Sequence, residues 1–318
     1  MRATPFLYAA AAVFLLCVPL IGIYPVFMMK LLCFAMFACA YNLLLGFCGM
    51  LSFGHAAFFG SAAYITAWLA ATRGFGPGVA ILGGVAVAAV LGLLIGAIAI
   101  RRRGIYFAMI TLALAQLVYF VCLEAPFTGG ENGLQSVPRG SLLGLLPLRN
   151  DLVMYYFVLA VFIAVFAFIR RIVHSPFGQV LKAIRENEAR ATSLGYEVNR
   201  YKLVAFVLSA TLSGLAGSLK ALVLSFATLS DVLQANSGEV ILMTLVGGTG
   251  TFAGPVVGAT LIVTLQEYLS EIVGGWVTVI IGGVFIVCVL LFRRGIVGEL
   301  ATLRLRGRRA APAADGSR

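Results

Sequence analysis

A chain of 318 residues that is 61% hydrophobic and 11% charged, with a mean hydropathy of +1.03, excludes a water-soluble globule. Such a domain carries about 25% charged residues, and there are too few polar side chains here to coat one. The net charge of +11 does not point to nucleic acid, because the basic residues cluster at the ends of apolar segments, where they report membrane topology.

The apolar stretches are long and continuous rather than alternating, so lipid-spanning helices are expected and a closed barrel is not. Candidates fall at 6–24, 27–45, 50–71, 79–100, 105–123, 152–169, 203–225, 254–273 and 276–292. A further stretch at 238–252 is short and is interrupted by Gly247, Gly248 and Gly250. The first segment follows the single basic residue Arg2, as a signal peptide would. No small-x-small cleavage site follows it, and Tyr24-Pro25 does not suit one, so a spanning helix is the expectation.

The third segment reads NLLLGFCGMLSFGHAAFFGSAAYITAWL and brings Ser52 and His55 to membrane depth. Polar groups in lipid are costly and face the protein interior or a watery cavity. His55 is either a packed histidine with one hydrogen bond or a lining of a transport path. Ala56-xxx-Gly60 is a small-residue pattern that lets helices approach closely. Arg101–Arg103 then form a basic block. The loop 124–151 holds glycines, prolines and acids, including FTGGENGLQSVP at 127–138.

The loop 170–202 carries the second basic block, from Arg170 and Arg171 to Lys202. Within it Ser175 is a good N-cap and Pro176 suits the first helical position. Phe177, Val180, Leu181 and Ile184 share one face of a helix over about 175–190, and Gly195 is a natural stop. Such a helix rests on the bilayer, fills a gap in its own protein, or inserts into a partner's groove. Its nearly balanced acids and bases favour a protein partner.

The run LVGGTGTFAGPVVGATL at 245–261 contains Gly250-xxx-Gly254 and Gly254-xxx-Gly258, and Pro255 breaks or restarts a helix. Two half-helices are expected to meet near Gly247–Pro255. Irregular backbone inside a membrane is tolerated beside protein or water, and broken helices often build transport sites. Arg293, Arg294 and the arginine-rich tail form the last basic block. If the basic blocks lie inside, parity requires ten crossings, with 238–252 as one of them.

Several chemistries are missing. No GxxxxGK[ST] loop is present, and His55 and His174 lie on different segments, so neither ATP hydrolysis nor a catalytic triad is expected. The six cysteines (Cys17, Cys33, Cys39, Cys48, Cys122 and Cys288) lie in or beside apolar segments and read as packing residues, and no metal spacing occurs. Lys30, Lys220, Glu267 and Glu271 are placed near outer helix ends, where long side chains reach the interface. No charge is expected mid-membrane, which argues against a self-contained, ion-coupled secondary transporter, the main alternative.

The stretches SPFGQVLKAIRENEARATSLGYEVNRYKLVAFVLSATLSGLAGSL, GMLSFGHAAFFGSAAY and GGTGTFAGP together resemble the branched-chain amino acid permeases of ABC importers, of the LivM type. The resemblance covers nearly the whole chain. It implies an all-α, polytopic membrane protein of vitamin-importer-like (type II) architecture, with about ten transmembrane segments and a cytoplasmic coupling helix. Residues 1–298 would form the permease domain and 299–318 a disordered basic tail. It implies that Pro176, Phe177, Gly178, Ala183, Ile184, Arg185, Glu186 and Asn187 dock on an ATPase subunit. Ser52, His55, Gly247, Gly248, Gly250, Gly254 and Pro255 would lie near the substrate path. Implied partners are two ABC ATPases that bind the ATP, a second homologous permease of the LivH type, a periplasmic binding protein and membrane lipid. The permease itself would be no enzyme and hold no cofactor, and would sit in the bacterial inner membrane with both termini cytoplasmic. Similar permeases carry urea or amides, and nothing in the residues specifies the solute.

Overall fold

The computed structural model describes residues 24–142, 146–291 and 295–299, together with Leu16. The expected first segment, the basic tail, Arg293 and Arg294 therefore lie essentially outside the described residues.

Helix α1 (Pro25–Asn42) starts on a proline and runs without interruption into a π-helical turn, Leu43–Cys48, which Gly49 ends at φ 77°. It is apolar on every side, as a helix enclosed by protein must be. Of its membrane-length window, 94% is buried. It is the central post, against which α5 (Asp151–His174), α8 (Val198–Leu224), α9 (Gln234–Gly247) and α10 (Gly254–Val273) pack.

Helices α2 (His55–Ala71) and α3 (Pro77–Ala99) pack together with α8 into a compact layer. Small residues make this contact. A Cβ on Gly84 would meet the Ser218 and Thr66 hydroxyls at 2.4 Å, one on Gly92 would meet Ala210 at 2.6 Å, and one on Gly217 would meet the Phe59 carbonyl at 1.9 Å. Without a hydrophobic drive between helices in lipid, this close backbone approach supplies the packing energy.

The outer faces are apolar as well. Only 33% of the windows of α3 and of α4 (Ile105–Glu124) is buried. Leu82, Leu94, Ile105, Met109 and Leu117 are among the side chains left exposed. Water would not tolerate so much exposed hydrocarbon, and lipid requires it. Among the described residues, five helices are long and apolar enough to cross a bilayer: 25–48, 77–99, 105–124, 151–174 and 198–224.

Several boundaries differ from the sequence expectation. The third segment becomes helical only at His55, after a non-helical stretch at 49–54. The loop after α5 is mostly helical: α5 runs on to His174, and α6 (Pro176–Glu186) and α7 (Glu188–Ser193) follow. The single amphipathic helix expected there is two helices. Asn187 leaves the helical region at φ −157°, and its side chain accepts from the Arg190 N–H to cap α7. Gly195, at φ 87°, stops α7 as expected. The stretch expected at 238–252 is α9, 14 residues ending at Gly247. At about 1.5 Å per residue it is ~21 Å long, short of the ~30 Å bilayer core. Helix α11 (Val277–Leu291) follows α10, and a helical stretch at 295–299 is the last part described.

The loop between α4 and α5 holds 3₁₀ turns at Pro126–Thr128 and Gly130–Asn132 and a small hairpin of β1 (Ser141–Leu142) and β2 (Leu146–Pro147). Arg139 anchors it to the end of α8. Its Nε donates to the Leu222 carbonyl at 3.3 Å and its Nη2 to the Val223 carbonyl at 2.7 Å. These are carbonyls with no partner further along the helix, and the guanidinium also complements the negative end of the dipole.

Candidate functional site

At the arginine-rich end of the bundle, α6 is anchored by its own sequence. The Ser175 Oγ accepts from the Gly178 N–H and donates to the Ile172 carbonyl. Gly178 is required by the α5–α6 corner, since a Cβ there would lie 2.4 Å from the Val173 carbonyl. Leu181 and Ile184 are buried, Phe177 stacks on Tyr201 at 5.6 Å, and Ile184 clusters with Ala191 and Val198. The apolar face therefore fills a gap in its own protein. Of the residues assigned to docking, Pro176, Ala183, Glu186 and Asn187 are exposed, Phe177 is half-buried, and Gly178 and Ile184 are buried. Arg185 has an exposed body and a head that turns inward.

That head makes the junction. The Arg185 Nη1 donates to the Gly46 carbonyl in the π-helical turn. Its stem lies against Gly49, where a Cβ would be 2.9 Å from its Cγ, and its Nη1 would be 2.9 Å from a Cβ on Gly250. Gly49 and Gly250 have φ of 77° and 75°, a region that favours glycine. From α1, Asn42 binds the same loop: its Nδ2 donates to the Thr251 carbonyl at 2.9 Å and its Oδ1 accepts from the Gly250 N–H at 3.0 Å. Phe252 sits between Phe47, at 5.4 Å, and His174, at 5.1 Å. Arg185, the π-helical end of α1 and the loop 248–253 are thus one interlocked unit.

The glycine run is a helical hairpin rather than one interrupted helix. A Cβ on Gly247 would lie 1.8 Å from the Gly254 carbonyl, and one on Gly258 would lie 1.8 Å from the Met243 carbonyl. This antiparallel pairing brings α9 and α10 into backbone contact, while Gly248 (φ 120°) and Gly250 turn the chain. Gly250-xxx-Gly254 is not a helical motif, because Gly250 lies in the turn. Gly254-xxx-Gly258 is one. Pro255 sits in the first turn of α10.

Ser52 and His55 are fully buried and face protein. The His55 Nδ1 is 3.1 Å from the Ser52 Oγ, and its Nε2 is 3.0 Å from the Ser209 Oγ. The Ser209 hydroxyl donates to the Ala40 carbonyl, so it accepts from the imidazole, which fixes the Nε2–H tautomer. The Ser52 hydroxyl then donates to Nδ1 and accepts from the Gly54 N–H at 3.2 Å. Around it, the Phe53 N–H finds the Thr111 hydroxyl and the Tyr41 hydroxyl donates to the Ser52 carbonyl. The non-helical stretch 49–54 is thereby satisfied inside the membrane protein, as lipid demands. His55 makes two hydrogen bonds where the packed alternative expected one. Ala56 and Gly60 together receive the segment 231–237: the Ala56 N–H donates to Ser237, and a Cβ on Gly60 would lie 2.7 Å from the Val232 nitrogen.

Lys220 does not reach an interface. It is buried, with its Nζ 2.7 and 2.9 Å from the two Asp231 oxygens. The sequence reading missed this pair because a lysine near a helix end reads as a snorkelling side chain. The clue was Asp231, the first acid after Lys220 in the sequence. Lys30 does pair near its helix end, with Glu267 at 2.7 Å. Asn42, a lone polar residue in the run AYNLLLG, was overlooked for want of a visible partner. Among the described residues no group of three His, Cys, Asp or Glu is placed to hold a metal, and Cys33, Cys39, Cys48 and Cys122 are buried and unbonded.

A family model described as "Branched-chain amino acid transport system / permease component" matches residues 26–290. The high-affinity branched-chain amino acid transport system permease proteins LivM of Salmonella typhimurium and of Escherichia coli K12 are each 28% identical over 279 residues, covering 80% of this chain and 65% of theirs. The chain thus spans about two thirds of the length of these curated relatives. The ribose import permease protein RbsC of Bacillus subtilis is 28% identical over 177 residues, 53% of this chain and 52% of its own. No solved structure matches significantly.

Proposed function

The chain belongs to the family of branched-chain amino acid transport system permease components, and from that premise we propose that it is the membrane-embedded permease subunit of an ATP-driven importer of branched-chain amino acids. Two separate ABC ATPases supply the energy, a second homologous permease completes the membrane unit, and a periplasmic binding protein delivers the solute. About ten segments enter the inner membrane, with α9 too short to span its core by itself, and the arginine-rich end faces the cytoplasm.

The observation that carries the proposal is the interlock of Arg185 with Gly46, Gly49 and Gly250. In α6 the apolar side is committed to the protein's own core, while Pro176, Ala183, Glu186 and Asn187 face outward. A partner pressing on that outward side moves Arg185, and through it both the end of α1 and the turn of the α9–α10 hairpin. No catalytic group is needed, because the work enters as displacement of a packed element with two arrangements. The buried Ser52–His55–Ser209 chain holds the start of α2 behind the wall of the path, and Gly247, Gly248, Gly250, Gly254 and Pro255 form its movable part.

The test is uptake of labelled leucine and, separately, of labelled urea by the complete complex in liposomes, with Arg185→Ala and Glu186→Ala variants. ATP-dependent leucine uptake that both variants lose, with ATPase activity retained, is the expected result. Equal uptake by the variants overturns the coupling role. Urea uptake without leucine uptake favours the amide-type permease of the same family.

A further inference from the structure

Beside the interlock lies a cavity of about 590 Å³ that the transport reading does not use. Its lining is strongly basic: Arg102, Arg103, Arg185 and Lys202 against a single acid, Glu188. Glu188 is already engaged, at 3.1 Å from the Arg103 Nε and 2.8 Å from the Lys202 Nζ. Four cations against one carboxylate leave an excess of three positive charges. Arg102 pairs with no acid among the described residues. A concentration of one sign in a partly enclosed, low-dielectric site focuses its field and attracts an anion.

The lining also has an apolar part, with Leu51, Phe53, Ile105 and Phe107. It does not end at the cavity. Ile105 begins α4, and Ile105, Tyr106 and Met109, exposed at 68%, 67% and 58%, continue as the face that meets lipid. A free phosphate or nucleotide has no use for such a path. An amphiphile with an anionic head and acyl tails matches both parts of the lining. Basic pockets between spanning helices at the positively charged end of a membrane protein suit such head groups.

We propose that this cavity binds one anionic glycerophospholipid, its phosphate held by Arg102 and Arg103 and its acyl chains laid along Ile105 and Met109. Ile184, Arg185 and Glu188 line the same cavity, so the lipid braces α6 and α7 against the start of α4. The site requires membrane residence and not the import reading, so the two stand or fall separately.

Native mass spectrometry of the purified full chain, loaded with phosphatidylglycerol or phosphatidylcholine, tests it. Wild-type chain is expected to retain one phosphatidylglycerol in preference to phosphatidylcholine. Retention should fall about fivefold in R102Q and about thirtyfold in R102Q/R103Q, at ~1 kcal/mol per basic residue. The neighbouring R101Q, which does not line the cavity, should bind as wild type. Glycerol 1-phosphate at equal concentration should not displace the lipid. Equal retention of the two lipids by wild type overturns the proposal, whatever the variants do. Unchanged retention in folded R102Q/R103Q overturns it too, and displacement by glycerol phosphate assigns the site to a free phosphate instead.

Discussion

The buried pair of Lys220 and Asp231 offers a sharp perturbation. Both side chains are almost wholly withdrawn, with relative exposures of 5% and 7%. In Asp231→Asn the ammonium keeps its charge and loses its counter-ion. What remains is the Phe226 ring, 4.4 Å away, a contact worth about 0.5–2 kcal/mol. Stripping one partner from a buried pair costs about 3–5 kcal/mol, and this variant should sit in that range. Lys220→Met is milder, because Asp231 still accepts from the Thr228 N–H at 3.2 Å; about 2–3 kcal/mol is expected. The double variant Lys220→Met/Asp231→Asn removes both charges and should come within about 1–2 kcal/mol of wild type. Equilibrium unfolding in mixed micelles measures all three. A double variant whose loss equals the sum of the single losses would refute the reasoning, since two groups that stabilise each other cannot be additive.

Four further outcomes are expected from the same packing. Gly258→Ala places a methyl group 1.8 Å from the Met243 carbonyl and should destabilise by at least ~1–3 kcal/mol in that unfolding assay. Gly282→Ala, where nothing among the described residues lies within 4 Å, should stay within about 0.5 kcal/mol of wild type. Asn42→Ala orphans the Gly250 N–H and the Thr251 carbonyl at about 1–3 kcal/mol each, and uptake by the reconstituted complex should fall more than stability does. Arg139→Ala frees the Leu222 and Val223 carbonyls, and hydrogen exchange should rise through 127–142 while the core of α8 stays protected.

Much of this protein was legible in its sequence because lipid imposes rules that act segment by segment. A run of about 20 apolar residues must be helical in a bilayer whatever its neighbours do. Pro25, Pro77 and Pro176 mark helix starts, and Ser175 caps α6 by a contact three residues away. Glycine at 247–258 announced an irregular element. These are local properties, and the structure keeps them.

The tertiary structure decided everything that depends on how the helices lie against one another. It turned the glycine run into a hairpin, because Gly247 and Gly258 could be seen to lack a Cβ but not to face one another's backbone. It split the amphipathic helix at Asn187 and spent its apolar face on the protein's own core. It gave His55 its two serines and Lys220 its aspartate. Arg185 reaches Gly46 across 139 residues, and Asn42 reaches Thr251 across 209. The free energy of such a contact resides in neither residue alone. It exists only once two helices are placed within hydrogen-bond distance, and hydropathy, a sum over single residues, carries no record of that placement.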